Sequence, residues 1–357
     1  MKNKEVIFLS GNGNHSLGKQ ILSQLEELIG EKCVFNHINY DTHADTEFST
    51  YIPRWEEIKD KTVVFYQSLH SREFLEEAED LLYALKYQYG AKYIIGVFPF
   101  MLNRRQDPKM EIHPDEFDGK IAKPYEIQRL KHTILRLKNA GVNEMLVATP
   151  HSNAMEKYAK EYGILFHEID ASKLFADIAQ TLIKDDERAL VKVYSPDWGS
   201  IERAIKIAKL IDCPVLFNFK ERKINGESSI VEAELKDINE KISWAQKEFN
   251  FQEIYYATSD MVSGMILIMV EDEIASGKTA SETGRLLKKY GVKSLYFFST
   301  HVVLTPGWRG FLIVNSPFTR IFCTNTITRD YKKQTGGELS DISIAPQFAS
   351  TLFKILN

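Results

Sequence analysis

The chain has 357 residues, 44% of them hydrophobic and 26% charged, with a formal net charge of −4 at pH 7, a length and composition that suit two globular domains. This weak negative charge gives no reason to expect nucleic acid or an anionic membrane as a partner. Three dispersed cysteines without metal-ligand spacing, and the absence of any segment long enough to span a membrane, predict a cytoplasmic protein with reduced thiols.

Short apolar runs alternate with amphipathic helical patterns along almost the whole chain. The predicted strands are Val6–Leu9, Thr62–Tyr66, Tyr93–Phe98, Met145–Thr149, Leu190–Tyr194, Pro214–Asn218, Met265–Val270 and Ser294–Ser299. The predicted helices are Glu73–Gln88, Pro124–Ala140, Ser200–Ile211 and Thr279–Tyr290. This alternation is typical of the α/β class, with mainly parallel sheets that helices cover on both faces.

A domain boundary is predicted after the strand-like segment ILFHEI, which ends at Ile169. Residues 1–169 then form an N-terminal domain and residues 170–340 a C-terminal domain, because strands and helices alternate on both sides of the boundary. The polar segment Lys223–Asp260 interrupts this alternation and predicts a loop followed by an exposed helix. In such sheets the loops at the carboxyl ends of the strands carry the chemistry.

Two strand-end loops of the first domain carry polar side chains. The loop PFMLNRRQDPK contains Arg105, Gln106 and Asp107, which suit a polyphosphate and its metal but are equally ordinary in a solvated turn. The loop PHSN places His151 just beyond a strand end, where a histidine is more often a surface or core residue than a metal ligand.

Two loops of the second domain leave similar alternatives open. In SPDWGSIERA, Asp197 can cap a helix or hold a magnesium ion through its carboxylate. In FKERK, Lys220 and Arg222 lie on one side of an extended segment, an arrangement that also occurs in a charged edge strand.

The segment MILIMVEDEIASGKT, residues 265–279, gives the most specific signal. It is not a nucleotide-binding P-loop, because Asp272 occupies the position where that motif requires a glycine. Two carboxylates at a strand end can accept hydrogen bonds from a ribose 2′,3′-diol, while small residues at a helix N-terminus can bind a phosphate. The segment therefore predicts a ribose-phosphate site, whose residues are Glu271, Asp272, Ala275, Ser276, Gly277, Lys278 and Thr279.

Taken in order, these loops resemble those of the ribose-phosphate pyrophosphokinases, or PRPP synthetases, over nearly the whole chain. The matching segments are SGNGNHSLGKQILSQL, HADTE, NRRQDPK, ATPHSNAMEKY, SPDWGSIERA, FKERK, VSGMILIMVEDEIASGKT, STHVVLTPG and ISIAPQFASTLFKIL. The resemblance implies two tandem domains of the type I phosphoribosyltransferase kind, with the C-terminal helix 341–357 packing back on the first. It also implies transfer of the β,γ-diphosphate of Mg-ATP to the anomeric hydroxyl of ribose 5-phosphate, with release of AMP.

The resemblance further assigns roles to individual residues. Catalysis falls to Lys220 and Arg222, and Mg²⁺ binding to His151 and Asp197. The implied ATP-binding residues are Asp45, Glu47, Arg105, Gln106 and Asp107. Because the HADTE hairpin of the family reaches ATP on a neighbouring subunit, a homo-oligomer, either a dimer or a hexamer, is expected.

The ribose loop departs from the family pattern Asp-Asp-x-x-Asp-Thr-x-Gly-Thr. Glu271 replaces the first Asp, Ala275 the third Asp, Ser276 a Thr and Lys278 a Gly. These changes and the long Lys223–Asp260 segment fall on the part of the chain expected to bind the acceptor, whereas the ATP-binding motifs match the family pattern more closely. They suggest a larger acceptor such as ADP-ribose, whose pyrophosphate would serve in rebuilding NAD.

Two other classes stay open at the level of sequence. A non-catalytic regulatory homologue would keep the fold, but it would be expected to lose the catalytic cations that are present here. A type I phosphoribosyltransferase would share the acidic loop and consume PRPP, but the tandem domains and the Arg-Gln-Asp and Lys-x-Arg loops argue against it.

Overall fold

A computed structural model describes residues 6–42, 48–106, 127–218, 220–222, 228–230, 235–327 and 331–357. The chain divides into two compact units. Unit 1 comprises Met1–Ile169 together with Ala345–Asn357, and unit 2 comprises Asp170–Ile344. Each unit contains its own parallel sheet flanked by helices, which confirms the predicted α/β class.

The secondary structure elements alternate along the described chain as the periodicity predicts. The strands are β1 (Val6–Ser10), β2 (Val34–His37), β3 (Asn39–Thr42), β4 (Phe48–Tyr51), β5 (Thr62–Tyr66), β6 (Tyr93–Phe98), β7 (Glu144–Ala148), β8 (Leu165–Ile169), β9 (Val191–Ser195), β10 (Val215–Phe217), β11 (Lys220–Arg222), β12 (Ser228–Ile230), β13 (Ile254–Tyr256), β14 (Ile266–Ile274), β15 (Ser294–Val302), β16 (Arg320–Thr324) and β17 (Leu339–Ile342). The helices are α1 (His15–Ile29), α2 (Arg72–Tyr83), α3 (Arg129–Asn139), α4 (Ala154–Glu161), α5 (Ser172–Leu182), α6 (Ile201–Ile211), α7 (Leu235–Glu248), α8 (Ser259–Val262), α9 (Lys278–Lys289), α10 (Tyr331–Gln334) and α11 (Ala345–Leu356).

The sheet of unit 1 has the strand order β2-β1-β5-β6-β7-β8, and all of its pairs are parallel. Its strands form from apolar runs whose large side chains, among them Phe8, Phe65 and Phe98, are fully buried. Helix α1 buries Leu17, Ile21 and Leu25, which recur every four residues on one face. The C-terminal helix α11 packs against α1 within this unit.

The sheet of unit 2 has the strand order β13-β10-β9-β14-β15-β16-β17 and is also parallel throughout. The central strand β14 is completely buried from Ile266 to Val270, so its apolar residues need no alternation with polar ones. The strand continues beyond the predicted end at Val270 as far as Ile274, because it stays paired in register with β15. The acidic residues 271–273 are therefore part of a strand.

Within the described part of the chain, none of the helices combines the length and the apolar character needed to cross a membrane.

Two histidines, His15 and His37, lie together at the carboxyl edge of the unit 1 sheet. The His15 ring lies 3.9 Å from the His37 ring, centroid to centroid, and its Nδ1 is 2.9 Å from the hydroxyl of Ser10. Burial, followed by the charges of His37 and Lys19, lowers the pKa of His15 from 6.5 to about 4.

We expect acidification to weaken the fold through His15. Between pH 6.5 and pH 4 the unfolded chain binds a proton that the folded His15 does not, so the free energy of unfolding falls as the pH drops through this window. Because the ring is partly exposed, we expect a loss of about 1 kcal/mol rather than the full value of the pKa shift. Urea unfolding at pH 7.5 and pH 4.5 measures it, and His15→Gln should show a smaller pH dependence than the parent chain. Equal pH dependence in both chains would contradict this role for His15.

Candidate functional site

In unit 1, two of the predicted site loops are neighbours because β6 and β7 are adjacent and parallel. The loop that carries Arg105 and Gln106 follows β6, and the loop that carries His151 follows β7. The carboxyl ends of both strands lie at the same edge of the sheet, so the structure brings these three predicted residues to one region of unit 1.

Arg104 connects the loop after β6 to the loop after β7 through its buried side chain. Its side chain is 3% exposed, its guanidinium lies 5.2 Å from the centre of the Phe100 ring, and its Nη1 donates to the carbonyl oxygen of Thr149 at 3.4 Å. Thr149 has a φ of 36°, an uncommon conformation for a β-branched residue. Arg104 therefore fixes the backbone just before His151. The sequence pattern did not distinguish this structural role from the ATP-binding role predicted for Arg105.

The turn that carries Arg105 and Gln106 is fixed by backbone hydrogen bonds. The amide of Gln106 donates to the carbonyl of Asn103 at 2.8 Å, and the amide of Leu130 at the start of α3 donates to the carbonyl of Gln106 at 3.2 Å. Arg105 and Gln106 themselves are exposed, as is His151. The other predicted ATP-binding residues, Asp45, Glu47 and Asp107, lie outside the described residues.

In unit 2, the strand order brings the remaining predicted loops to one sheet edge. Strand β9 lies between β10 and β14, so the turn of Asp197 after β9 is flanked by the segment leading to Lys220 and by the acidic end of β14. These three segments are far apart in sequence. Their adjacency follows from the parallel sheet, whose carboxyl ends share one edge.

Asp197 takes the capping role, one of the two that its sequence context leaves open. Its Oδ1 accepts hydrogen bonds from both the backbone amide and the hydroxyl of Ser200, each at 3.1 Å, so it caps the helical turn that leads into α6. Within the described residues these capping bonds use Oδ1 alone, which leaves Oδ2 as a potential oxygen ligand for a cation.

Lys220 and Arg222 begin and end the short strand β11, which pairs antiparallel with β12. In the pairing, Lys220 lies opposite Ile230 and Arg222 opposite Ser228. Because residues two apart share one side of a strand, positions 220 and 222 lie on the same side of the hairpin and Glu221 on the other.

The acidic residues of β14 are distributed over both faces of the strand. Glu271 pairs with Ser299 and Glu273 with His301 across the β14–β15 ladder. Alternation places Glu271 and Glu273 on one face and Asp272 on the opposite face, and all three side chains are half-buried. The sequence predicts a loop at Glu271 and Asp272, so this distribution over two faces is a finding of the structure.

The predicted phosphate loop connects β14 to α9 through Ala275, Ser276 and Gly277. The Ser276 hydroxyl accepts from the Lys278 amide at 3.2 Å, and the Ala275 carbonyl accepts from the Thr305 amide at 3.0 Å. The first turn of an α-helix has amide groups without an intrahelical acceptor, together with a positive partial charge. These features of the α9 N-terminus suit the predicted phosphate site, where Lys278 is exposed and Thr279 is half-buried.

Gly277 is required by the shape of this loop. It caps α9 with a φ of 75°, and a Cβ built on it would lie 2.4 Å from the buried side chain of Leu312. We expect Gly277→Ala to lower the free energy of unfolding by about 2–3 kcal/mol, since it adds steric overlap to an unfavourable backbone conformation. Gly264→Ala is the matched control, because Gly264 has a φ of 73° but no heavy atom within 4 Å of the new Cβ, and about 1 kcal/mol is expected there. Equal losses in urea unfolding would show that Leu312 does not constrain the loop.

A magnesium ion fits the donor chemistry of the predicted ligands. Mg²⁺ keeps several water molecules and usually takes only one or two protein carboxylates together with substrate phosphates. Among the described residues, no group of three or more His, Cys, Asp or Glu side chains forms a metal site by itself. The single carboxylate oxygen of Asp197 is compatible with a metal that a bound nucleotide would complete, whereas the imidazole of His151 is a less usual partner for this cation.

Residues 255–357, which include the β14–α9 loop, match the family model of the phosphoribosyl synthetase-associated domain. The chain is 26% identical to a ribose-phosphate pyrophosphokinase of Synechococcus elongatus over 61% of its own length and 56% of that protein. It is 28% identical to that of Saccharolobus solfataricus over 61% and 60%, respectively, so these alignments span less than two thirds of either relative. With the ribose-phosphate pyrophosphokinase of Ralstonia nicotianae the identity is 22% over 100% of this chain and 96% of the relative.

The fold is similar to that in the crystal structure of phosphoribosylpyrophosphate synthetase from Mycobacterium smegmatis. The TM-score is 0.73 with 20% sequence identity, and the superposition covers 99% of both chains. This likeness confirms the expected α/β fold with two parallel sheets flanked by helices.

Proposed function

We propose that the chain, which is similar to ribose-phosphate pyrophosphokinases along its whole length, transfers the β,γ-diphosphate of Mg-ATP to the anomeric hydroxyl of a 5-phosphorylated ribose and releases AMP. The β14–α9 segment is the observation that carries this proposal. It joins an acidic strand end to a glycine-capped helix N-terminus, and it lies within the region that matches the phosphoribosyl synthetase-associated domain.

Unit 2 supplies the acceptor site in this proposal. The loop from Ala275 to Thr279 binds the 5′-phosphate through the amides of α9 and the charge of Lys278. Glu271 and Asp272 accept hydrogen bonds from the ring hydroxyls and so orient the sugar. Their role is to fix the C1 hydroxyl in position for attack, because phosphoryl transfer depends mainly on positioning and charge neutralisation.

The donor side is assigned to the ATP-binding residues and the catalytic cations. Arg105 and Gln106, with Asp45, Glu47 and Asp107, are assigned to ATP. His151 in unit 1 and Asp197 in unit 2 are each assigned to Mg²⁺, which would neutralise phosphate oxygens when bound. The C1 oxygen forms a bond to the β-phosphorus and loses its proton to solvent. The bond from that phosphorus to the oxygen bridging the α- and β-phosphates breaks, so that AMP leaves with this oxygen. Lys220 and Arg222 stabilise the charge that develops during this transfer.

ADP-ribose is the second candidate acceptor, and the composition of the phosphate loop favours it. Ala275 stands where the family has an acid and Lys278 where it has a glycine, so the loop is more positive by two charges. Lys278 is exposed, and its ion pair with the exposed Glu282 is a long one, at 4.0 Å, so its ammonium group can bind a second phosphate. The same chemistry on ADP-ribose would give ADP-ribose pyrophosphate, a step in rebuilding NAD.

Release of AMP with each acceptor tests the proposal. The full chain is incubated with ATP, Mg²⁺ and either ribose 5-phosphate or ADP-ribose, and AMP is quantified by chromatography. AMP formation that depends on an acceptor supports the pyrophosphokinase, and the better acceptor defines the substrate. Absence of AMP with both would favour the non-catalytic regulatory homologue, and activity that consumes PRPP without ATP would indicate a phosphoribosyltransferase.

The proposal also includes the oligomeric state of the protein and its cellular compartment. A homo-oligomer, as a dimer or hexamer, follows from the family role of Glu47 at a neighbouring subunit's nucleotide, and sedimentation analysis of the purified chain tests it. We also expect a cytoplasmic protein, because the substrates are cytoplasmic metabolites.

A further inference from the structure

Two tryptophans of unit 2 line a cavity that the roles assigned above do not use. The cavity has a volume of about 300 Å³ and is lined by Trp198, Glu240, Lys241 and Trp244. The indole rings lie 6.0 Å apart, centroid to centroid, with an angle of 51° between their planes. This volume is at the lower end of the range for small-molecule sites, about 300–1,000 Å³.

The elements that line the cavity pack against the rest of unit 2. Helix α7 packs through Ile238 and Ala245, which are 5% and 0% exposed, while Trp244 on the same helix stays 51% exposed. On the other wall, the ring of Trp198 meets the ring of Phe217 edge-on at 5.4 Å. A tryptophan this exposed, on a helix whose other face is well packed, indicates a binding surface more than a part of the core.

The cavity adjoins the sheet edge where the acceptor loop lies. Trp198 directly follows Asp197, and its helical turn contacts β14, the strand that carries Glu271 and Asp272. Phe217, which supports the Trp198 ring, is the last residue of β10 and precedes β11 with Lys220. A molecule in the cavity would therefore contact Trp198, whose helical turn carries the capping Asp197 and contacts the strand with the acidic end.

The lining combines stacking surfaces with one donor and one acceptor group. The two indoles contact each other at an angle of 51°, so a flat ring can stack on the outward face of the half-exposed Trp244 indole. The Glu240 carboxylate accepts hydrogen bonds, and the ammonium of Lys241, which lies 6.0 Å from the centre of the Trp198 ring, donates them. A planar heterocycle with both an amino group and ring nitrogens, such as a purine base, matches this lining.

We propose that the cavity between Trp198 and Trp244 binds the nucleobase of the acceptor substrate, which makes a nucleotide-linked ribose the acceptor class of this protein. The proposal rests on the proposed function. An acceptor base suits the site better than the base of ATP, because the cavity lies in unit 2, which also contains the proposed acceptor loop, whereas Arg105 and Gln106 lie in unit 1. Helix α7, within the polar segment Lys223–Asp260, then has a defined role as one wall of an acceptor subsite.

Trp244→Ala tests this assignment through the two acceptors. We expect the KM for ADP-ribose to rise roughly tenfold, the usual effect of removing one base-stacking ring, with the KM values for ribose 5-phosphate and ATP unchanged. Trp55→Ala is the matched control, since Trp55 is 50% exposed, packs against Tyr89 in unit 1 and should leave all three KM values unchanged. A rise in the KM for ATP, or an equal rise for both acceptors, would overturn the assignment to the acceptor base.

Direct binding separates this proposal from the proposed function. Titration of the parent chain with ADP-ribose should quench tryptophan fluorescence, and Trp244→Ala should remove most of that signal while Trp55→Ala keeps it. If no AMP forms with either acceptor but this quenching is found, the transfer activity is refuted and the base site stands. If ADP-ribose does not bind the parent chain, or if Trp244→Ala changes only the oligomeric state, the base site is refuted and the surface is a contact between subunits.

Discussion

Replacement of Lys220 by alanine is expected to lower kcat about 10²–10³-fold, while the midpoint of thermal unfolding stays unchanged. In the proposed reaction negative charge builds up on the transferred diphosphate, and a fixed cation that stabilises this charge contributes mainly in the transition state. Loss of such a group therefore reduces kcat more than it raises KM. AMP release under saturating ATP and acceptor measures the effect, and thermal unfolding followed by circular dichroism verifies the fold.

The β11–β12 hairpin provides the control for this experiment. Glu221 lies between Lys220 and Arg222, on the other side of the strand, and Glu221→Ala changes the same hairpin without removing a cation. We expect that variant to keep kcat within about a factor of three of the parent. Near-normal turnover of Lys220→Ala, or an equal loss in both variants, would refute the catalytic role of Lys220.

The sequence predicts the main strands well because each is a continuous apolar run that the sheet buries on both faces. Thr62–Tyr66 and Tyr93–Phe98 coincide with β5 and β6, and both are buried almost throughout. The pattern missed β16, a largely buried strand of five residues inside the sheet of unit 2, and the short edge strands β2, β13 and β17. The residues of these edge strands are buried only in part, so the edge strands lack a long apolar run.

The candidate site depends on contacts that local sequence does not contain. The acidic end of β14 reads as a loop because its residues are polar, yet pairing with β15 keeps residues 271–274 extended. The neighbourhood of Asp197 and Glu271 follows from the position of β9 beside β14, a choice of topology that no short motif specifies. The cavity between Trp198 and Trp244 arises in the same way, since it forms only when α7 packs beside the turn after β9.

Asp272→Asn is expected to lower kcat/KM for the acceptor roughly 10–100-fold, with the KM for ATP unchanged. The substitution keeps the size of the side chain but replaces a charged hydrogen-bond acceptor by a neutral one, and hydrogen bonds to charged groups contribute about 1.5–3 kcal/mol. The acceptor is varied at saturating ATP, and release of AMP is followed. Glu273→Gln provides the matched control, because this neighbouring carboxylate is also half-buried in β14 and loses its charge in the same way.

The comparison of these two variants depends on the geometry of β14. The proposed sugar-binding pair, Glu271 and Asp272, lies on opposite faces of β14, whereas Glu271 and Glu273 share one face. If the diol is bound by residues 271 and 272, Asp272→Asn is strongly impaired and Glu273→Gln stays within about twofold of the parent. If the sugar instead binds on the face that Glu271 shares with Glu273, Glu273→Gln is the more strongly impaired variant, and Glu271 acts with Glu273. If both variants keep the activity of the parent, neither carboxylate contacts the sugar, and the acceptor site lies away from the end of β14.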